Sequence, residues 1–383
     1  MSFLPLRLIV LLLHAWVGWR LLPALAPFPT AQGLLAAVLV ASVLLMPLGL
    51  RAPRGAGPRL AAVLVWLGLL CMGLFSSLFV LTLLRDGLLL AAAALAALAP
   101  AAAPDEAALR LWSALAVPAL GLAATLWGFL NARRTAAVVR VDVLIAGLPE
   151  ALHGFSVAQI SDVHVGPTIR HGYLRRIVAR VNSLNADMVA ITGDLVDGQV
   201  PELAAHVAPL AQLASRHGSY FVTGNHEYYS GAHAWIAELR RLGVRVLLNE
   251  HVVLRHGGEP LVVAGVADFS AHHFDPSHRS DPQAALAGAP AQAAVKLLLA
   301  HQPRSAEAAA EAGFDLQLSG HTHGGQFWPW NLMVPLQQPF TAGLHRLRQL
   351  WVYTSRGTGY WGPPKRFGAP SEITHLRLVP APA

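Results

Sequence analysis

Gly320-His321-Thr322-His323-Gly324-Gly325-Gln326 follows an apolar run, Phe314-Asp315-Leu316-Gln317-Leu318, that reads as a β-strand. The heptapeptide sets two imidazoles two residues apart at the end of that strand. On an extended backbone residues i and i+2 leave the chain on the same side, so both rings are expected to face one point. The flanking glycines let the backbone approach closely whatever sits there. A lone His-x-His carries little information; its weight comes from four upstream clusters with the same logic.

Those clusters are Asp162-Val163-His164, Gly193-Asp194-Leu195-Val196-Asp197, Gly224-Asn225-His226-Glu227 and the isolated His301. Each follows a β-prone segment, at 155–160, 188–191, 220–222 and 295–299 in turn. Helix-like stretches at 173–184, 202–214, 232–242 and 305–312 alternate with them. Strand alternating with helix predicts an α/β sheet whose ligands gather at the carboxyl ends of the strands. All five clusters fall on that edge, so one site is expected from five loops.

The side chains name the chemistry. Asp162, Asp194 and Asn225 offer oxygen; His164, His301, His321 and His323 offer nitrogen. The single cysteine, Cys71, lies far off in an apolar stretch and reads as a small helix-packing hydrophobe. Mixed carboxylate and imidazole donors suit Mn, Fe, Zn or a related divalent ion, not a structural zinc cluster. Seven donors exceed the needs of one ion that keeps room for substrate. Two divalent ions roughly 3.5–4 Å apart, sharing a carboxylate, would use them all, activate a water and steady both oxygens of an in-line displacement. That chemistry is phosphoester hydrolysis.

The ordered blocks Asp-x-His, Gly-Asp-x-x-Asp, Gly-Asn-His-Glu, His and Gly-His-x-His resemble the calcineurin-like metallophosphoesterase superfamily over about 155–378. The Gly-His-Thr-His-Gly-Gly-Gln variant, with Thr354-Ser355-Arg356-Gly357-Thr358-Gly359 downstream, is similar to a bacterial, often membrane-linked, phosphodiesterase-like branch. The resemblance implies a β-sandwich flanked by helices. It implies one metal on Asp162, His164, Asp194 and His323, and a second on Asp194, Asn225, His301 and His321, with Asp194 bridging. It gives His226 the role of protonating the leaving alkoxide or stabilising the transition state, which suits an imidazole near neutral pKa. Asp197 is expected to orient His226 or the Asp194 loop. Glu227 and Asp268 are candidates to hold the liganding imidazoles in the right tautomer. Arg356 is a candidate phosphate contact, with an ion pair to Glu372 as the alternative.

Most of the 18 histidines lack any such context and read as ordinary surface or packing residues. His272 and His273 sit in a loop that could overhang the site, though packing accounts for them as well. Phe327-Trp328-Pro329-Trp330 reads equally as the lining of an apolar substrate groove, as an interfacial anchor, or as loop packing.

The N-terminal third is a different material. The chain is 54% hydrophobic and only 13% charged, and the excess of apolar residues precedes Arg133. Segments 8–25, 34–50, 60–84 and 109–130 are each about long enough to cross a bilayer, and 87–103 is a fifth, shorter run. The repetition rules out a cleaved signal peptide as the explanation. The expectation is an all-α multi-pass transmembrane region at 1–134, with four or five spans, joined by a short linker to a catalytic domain at 135–383. Arg51, Arg54 and Arg59 mark the loop between the second and third spans as cytoplasmic, and Arg133 and Arg134 favour the same side. Four spans then leave the enzyme cytoplasmic at the inner membrane; a fifth would put it outside, where the export signals of some relatives point. Arg85-Asp86 would be costly in mid-membrane.

The net charge of +7 includes Arg170, Arg175, Arg176, Arg180, Arg240, Arg241, Arg245, Arg346, Arg348, Lys365 and Arg366, a basic rim suited to a phosphorylated or membrane-held substrate. No compact basic stripe with interleaved aromatics argues for nucleic acid. The reading is a membrane-anchored dinuclear-metal phosphoesterase, favoured as a phosphodiesterase by the resemblance, acting on a phosphoester that includes lipid or lipid-linked candidates. Its alternatives are a phosphomonoesterase or a non-catalytic metal-binding receptor or scaffold. A transporter with an attached phosphatase is disfavoured, because few polar residues beyond His14, Arg85 and Asp86 occupy the apolar segments.

Overall fold

The computed structural model of the protein describes residues 4–50 and 57–382. The chain forms two compact units, Met1–Leu130 with Gly362–Phe367, and Asn131–Trp361 with Gly368–Ala383.

In the first unit the leucine- and alanine-rich segments fold as α1 (Leu4–Leu21), α2 (Pro29–Leu50), α3 (Pro58–Leu98) and α4 (Glu106–Arg133). Pro29 and Pro58 open α2 and α3, where a missing backbone N–H breaks no helical hydrogen bond. All four helices are long and apolar enough to cross a membrane. Leucines such as Leu34, Leu44, Leu90 and Leu130 remain exposed, as expected of helices that are apolar all round. The fifth apolar run makes no separate helix: its residues up to Leu98 continue α3 without a break. Ala and Leu are strong helix formers, and no proline interrupts them before Pro100. With 41 residues, α3 is about 60 Å long, roughly twice a bilayer's hydrocarbon thickness. Arg51 and Arg54 lie outside the described residues.

Arg20, Arg85 and Asp86 find partners among these helices. Asp86 accepts hydrogen bonds from Arg20 at 2.8–3.0 Å. Arg85 donates to Ser113 Oγ at 3.0 Å and to the carbonyls of Arg20 and Arg110 at 3.2 Å. Carboxylate pairing and carbonyl contacts are the usual way an arginine is kept between apolar helices. Lys365 and Arg366, expected on a basic rim of the enzyme, are instead buried in this helical unit. The Lys365 amine finds acceptors there, donating to the Gly73 carbonyl at 2.9 Å and to the Ser77 hydroxyl.

The second unit runs β1 (Ala137–Ile145), β2 (Ser156–Ile160), α5 (His171–Asn182), β3 (Met188–Ile191), α6 (Val200–Val207), β4 (Ser219–Phe221), α7 (Asn225–Tyr229), α8 (Ala232–Arg241), β5 (Arg245–Val246), β6 (Glu250–His256), β7 (Glu259–Gly265), α9 (Pro282–Ala285), β8 (Val295–Leu299), α10 (Ala306–Ala312), β9 (Leu316–Ser319), β10 (Gly343–Leu347), β11 (Leu350–Thr354) and β12 (Glu372–Pro380). The strands make two six-stranded mixed sheets, in the orders β1-β12-β2-β3-β4-β5 and β10-β11-β9-β8-β7-β6.

Alternation along the strands explains the layering. Val157, Met188 and Ala190 from one sheet meet Val263, Leu297, Leu299, Leu316 and Leu318 from the other in a shared core. Their neighbours Ala158, Ile160, Val189 and Ile191 face the opposite way, against Ile177 and Val178 of α5 and Trp235 and Leu239 of α8. On the far side Val262, Ala264 and Leu298 pack on Ala306, Ala309 and Ala310 of α10. The result is the expected sandwich with helices on both outer faces. The helix expected at 202–214 is shorter: α6 ends at Val207 and a 3₁₀ turn follows over Ala208–Gln212. Pro209 lacks the N–H that would continue the α-helical ladder.

Candidate metal centre

The five clusters lie on the loops immediately beyond β2, β3, β4, β8 and β9. Adjacent parallel pairing of β2 with β3 and β3 with β4, and of β8 with β9, brings these ends together. Hydrogen bonds tie the loops into one scaffold. Asp162 N–H donates to the Gly193 carbonyl at 3.0 Å, and His164 N–H to that of Asp194 at 3.1 Å. Both oxygens of the fully buried Asp162 accept from the His321 N–H, at 2.9 and 3.1 Å.

The donors fall into two groups. In the first, Asp162, His164 and His323 each offer an atom within 4.8 Å of the others. His164 Nε2 is 3.0 Å from His323 Nε2, which is 3.5 Å from Asp162 Oδ1. In the second, Asp194, His301 and His321 meet the same criterion, with His301 Nε2 3.2 Å from both Asp194 Oδ2 and His321 Nδ1. Asp194 Oδ2 also lies 3.9 Å from His164 Nε2, so it stands between the two groups. Asn225 Oδ1 is buried and, among the described residues, lacks a hydrogen-bond partner. A buried carbonyl oxygen left unpaired costs roughly 1–3 kcal/mol, and a cation would satisfy it. The residues present therefore fit a pair of divalent ions.

The expectation of an extended backbone at the His-x-His motif is not met. β9 ends at Ser319, and His321 and His323 adopt left-handed conformations, with φ of 71° and 52°. The rings reach the site from a tight turn and serve different groups, so it is the turn, not a strand's pleat, that aims them. Asp162, His164 and Asp194 are also left-handed, at 51°, 55° and 50°. Such conformations cost of order 1–3 kcal/mol each in non-glycine residues and persist where the surroundings over-determine them. Two glycines show how tight those surroundings are. A Cβ on Gly224 would fall inside contact distance of Asp194 Oδ1, and one on Gly320 would overlap Ser161 Oγ and Asp162 Oδ2.

Asp197 holds two rings at once. Its Oδ1 lies 2.9 Å from His164 Nδ1 and 2.6 Å from His226 Nδ1, which turns both Nε2 atoms towards the centre. Burial works against the charge on His226, but Asp197 and Asp194 outweigh it and raise its pKa to about 9. Burial likewise opposes ionisation of Asp197, yet His164 and His226 bring it down to about 2. Burial, reinforced by the neighbouring His301, pushes His321 down to about 3, leaving a neutral ring free to accept a cation.

Glu227 and Asp268 hold loops and not imidazoles. Glu227 is buried and accepts backbone N–H groups from Asp194, Leu195 and Gly224, at 3.0, 2.7 and 2.6 Å. Asp268 accepts from Ser270 and Gln302. The ring of His301 is oriented by the Thr192 carbonyl, 2.7 Å from Nδ1. A backbone carbonyl leaves no trace in residue identity, so the sequence carried no signal for it. Arg356 is paired with Glu372, its Nη1 donating at 2.9 Å. Its stem lies under Gly324, beside His323. Trp361 was not singled out by its sequence context; its ring, half exposed, packs edge-on to His226 with centroids 5.7 Å apart.

The calcineurin-like phosphoesterase family model matches residues 155–325, the stretch holding all five clusters. The chain is similar to a transmembrane protein with metallophosphoesterase domain from Danio rerio, 40% identical over 263 residues, 67% of this chain and 60% of that one. It is also similar to uncharacterized metallophosphoesterases of Helicobacter pylori J99 (40% over 223 residues; 58% of this chain, 59% of the relative) and Aquifex aeolicus (32% over 224 residues; 58% and 84%). The chain belongs to the calcineurin-like metallophosphoesterase family. It spans about 60% of the length of the vertebrate transmembrane relatives.

Proposed function

We propose that this protein is a membrane-anchored, dinuclear-metal phosphodiesterase whose substrate is a phosphodiester held at the bilayer. The observation that carries the reading is the convergence of two donor groups on Asp194 Oδ2, beside the unpaired Asn225 Oδ1. One ion would rest on Asp162, His164, Asp194 and His323, the other on Asp194, Asn225, His301 and His321. Bound there, Mn, Fe, Zn or similar ions supply Lewis acidity that lowers the pKa of water and offsets phosphate charge.

The chain's own groups do the rest. His226 carries a proton on Nε2 while Asp197 holds Nδ1, and that proton goes to the leaving oxygen as its bond to phosphorus breaks. Asp197 acts by positioning both His226 and His164. Arg356 Nη1 is held by Glu372, while the side chain is 37% exposed, so a phosphate contact would use the remaining N–H groups of the guanidinium.

The lipid part of the reading rests on the apolar surface beside His226. Trp361 is 50% exposed and is tied through Gln326, at 2.8 Å in both directions, to the segment bearing Trp328, Trp330, Leu332, Met333 and Leu336, all at least 40% exposed. A soluble substrate gives no reason to leave so much apolar surface bare. The helices α1–α4 supply the anchor, and the two spans between the arginine-bearing 51–59 loop and the enzyme, with Arg133 and Arg134, favour a cytoplasmic enzyme at the inner membrane.

The test is hydrolysis of chromogenic phosphate mono- and diesters by detergent-purified protein, metal-stripped and then given Mn, Zn, Fe or Mg, beside Asp194→Asn. Metal-dependent diester turnover lost in the variant supports the proposal. Monoester-only turnover makes it a phosphatase, and no turnover despite tightly held metal makes it a receptor or scaffold.

A further inference from the structure

Outside the centre just described, one more set of donors converges. His233, on the first turn of α8, and Asp275 and His278, in the loop that follows Asp268, offer atoms all within 4.8 Å of one another. From this geometry we infer a third, separate cation site, for a zinc-like ion held by His233 Nε2, Asp275 Oδ2 and His278 Nε2.

The donor atoms are set by their partners. Asp275 Oδ1 is occupied, accepting from the Ser277 N–H at 2.9 Å and from its hydroxyl at 2.6 Å. That leaves Oδ2 turned towards His233 Nε2 at 2.9 Å and His278 Nε2 at 3.9 Å. His278 Nδ1 is engaged by the Tyr228 hydroxyl at 2.8 Å, which leaves Nε2 as its free nitrogen. The two imidazoles stand with centroids 5.0 Å apart. Ligands about 2.0–2.2 Å from a tetrahedral zinc lie roughly 3.3–3.6 Å from one another; the two imidazole–carboxylate distances, 2.9 and 3.9 Å, bracket that spacing, and the two imidazole nitrogens lie within 4.8 Å of each other. Two neutral imidazoles and a carboxylate select a borderline cation over Mg or Ca, which prefer oxygen throughout. The Tyr228 contact is the outer support such a ring needs to hold its tautomer.

Position gives the site a purpose. An ion there would fasten the 268–281 loop to α8. Phe274 of that loop packs on Tyr228 and Tyr229, with centroids 5.8 and 5.5 Å away, and Tyr229 packs on His226 at 5.2 Å. The third ion would therefore set the aromatic wall beside His226 while contributing nothing to the dinuclear donor set.

The test is zinc uptake by the full-length, detergent-purified protein, measured by equilibrium dialysis and elemental analysis with Zn alone as the probe. The Asp194→Asn background weakens the dinuclear centre and leaves the third site intact. Replacing His233 keeps the fold, since its side chain is 74% exposed. We expect His233→Ala and His278→Ala each to lose about one zinc per chain in both backgrounds, and zinc to slow proteolysis of the 268–281 loop in the unmodified protein but not in His233→Ala. Equal zinc content in His233→Ala and the unmodified protein would overturn the site, whatever the outcome of the phosphodiesterase assay.

Discussion

Glu227 offers a direct test of how the centre is held. It touches none of the seven donor side chains in its assigned hydrogen bonds, yet it receives the backbone N–H groups of Asp194, Leu195 and Gly224. In Glu227→Gln the amide oxygen can replace Oε2, which serves Asp194 and Gly224, while the NH₂ then opposes the Leu195 N–H. One buried donor is left unpaired, at a cost of about 1–3 kcal/mol. Since 1.4 kcal/mol is tenfold in an equilibrium, the loop conformation that presents Asp194 should become about 5- to 150-fold less favoured. Metal affinity should weaken by up to that factor. Glu227→Ala orphans all three donors and should weaken it further. The assay is Mn²⁺ binding by equilibrium dialysis on full-length protein in detergent, with Glu238→Gln as control, because Glu238 pairs with the exposed Arg241 on the same helix, α8. The reasoning fails if both Glu227 variants bind Mn²⁺ as tightly as the control.

Further outcomes follow from the same geometry. Asp197→Ala removes the acceptor shared by His164 and His226, so kcat for a chromogenic diester should fall by about 100-fold or more while bound metal falls less; parallel turnover and metal measurements decide it. Gly224→Ala drives a Cβ into the Asp194 carboxylate and should abolish tight metal binding, seen as an unloaded protein after dialysis. Trp328→Ala combined with Trp330→Ala should slow hydrolysis of a diester presented in vesicles and leave a water-soluble diester unaffected; equal losses on both would argue against a lipid-facing surface. Chelation should lower the temperature of unfolding, since ligand present at 100 times its Kd adds about 2.7 kcal/mol to the folded state; an unchanged transition would mean the donors hold nothing.

Much of this protein can be read from the sequence alone, and the reason is local. Strands such as Met188–Ile191 and Val295–Leu299 announce themselves by apolar runs bounded by turn residues. Each donor motif follows one of them directly, so an α/β fold brings the motifs to one edge whatever the details. The four apolar helices are equally legible, because a bilayer-length apolar segment has few other uses. Where the sequence misleads, a continuous pattern hides a local break or its absence. Pro209 divides a helix that reads as one, and the 87–98 run joins a helix that reads as ending.

Through-space relations lay beyond the sequence. Which donors share a group depends on backbone turns: His321 and His323 are two residues apart in sequence but stand in different groups, because both are left-handed in a turn and not extended in a strand. The supports of the site are mostly backbone atoms, the N–H groups that Glu227 receives and the Thr192 carbonyl that orients His301, and a backbone atom has no residue type to read. The Arg356 guanidinium was open to a phosphate or to Glu372 by sequence, and packing put the carboxylate within 2.9 Å. His233, Asp275 and His278 belong to no motif, and only the fold of the 268–281 loop against α8 brings them together. Residue type and spacing determine which chemistry is available. The closing of loops on one another decides which atoms face each other, because those contacts join residues tens to hundreds of positions apart.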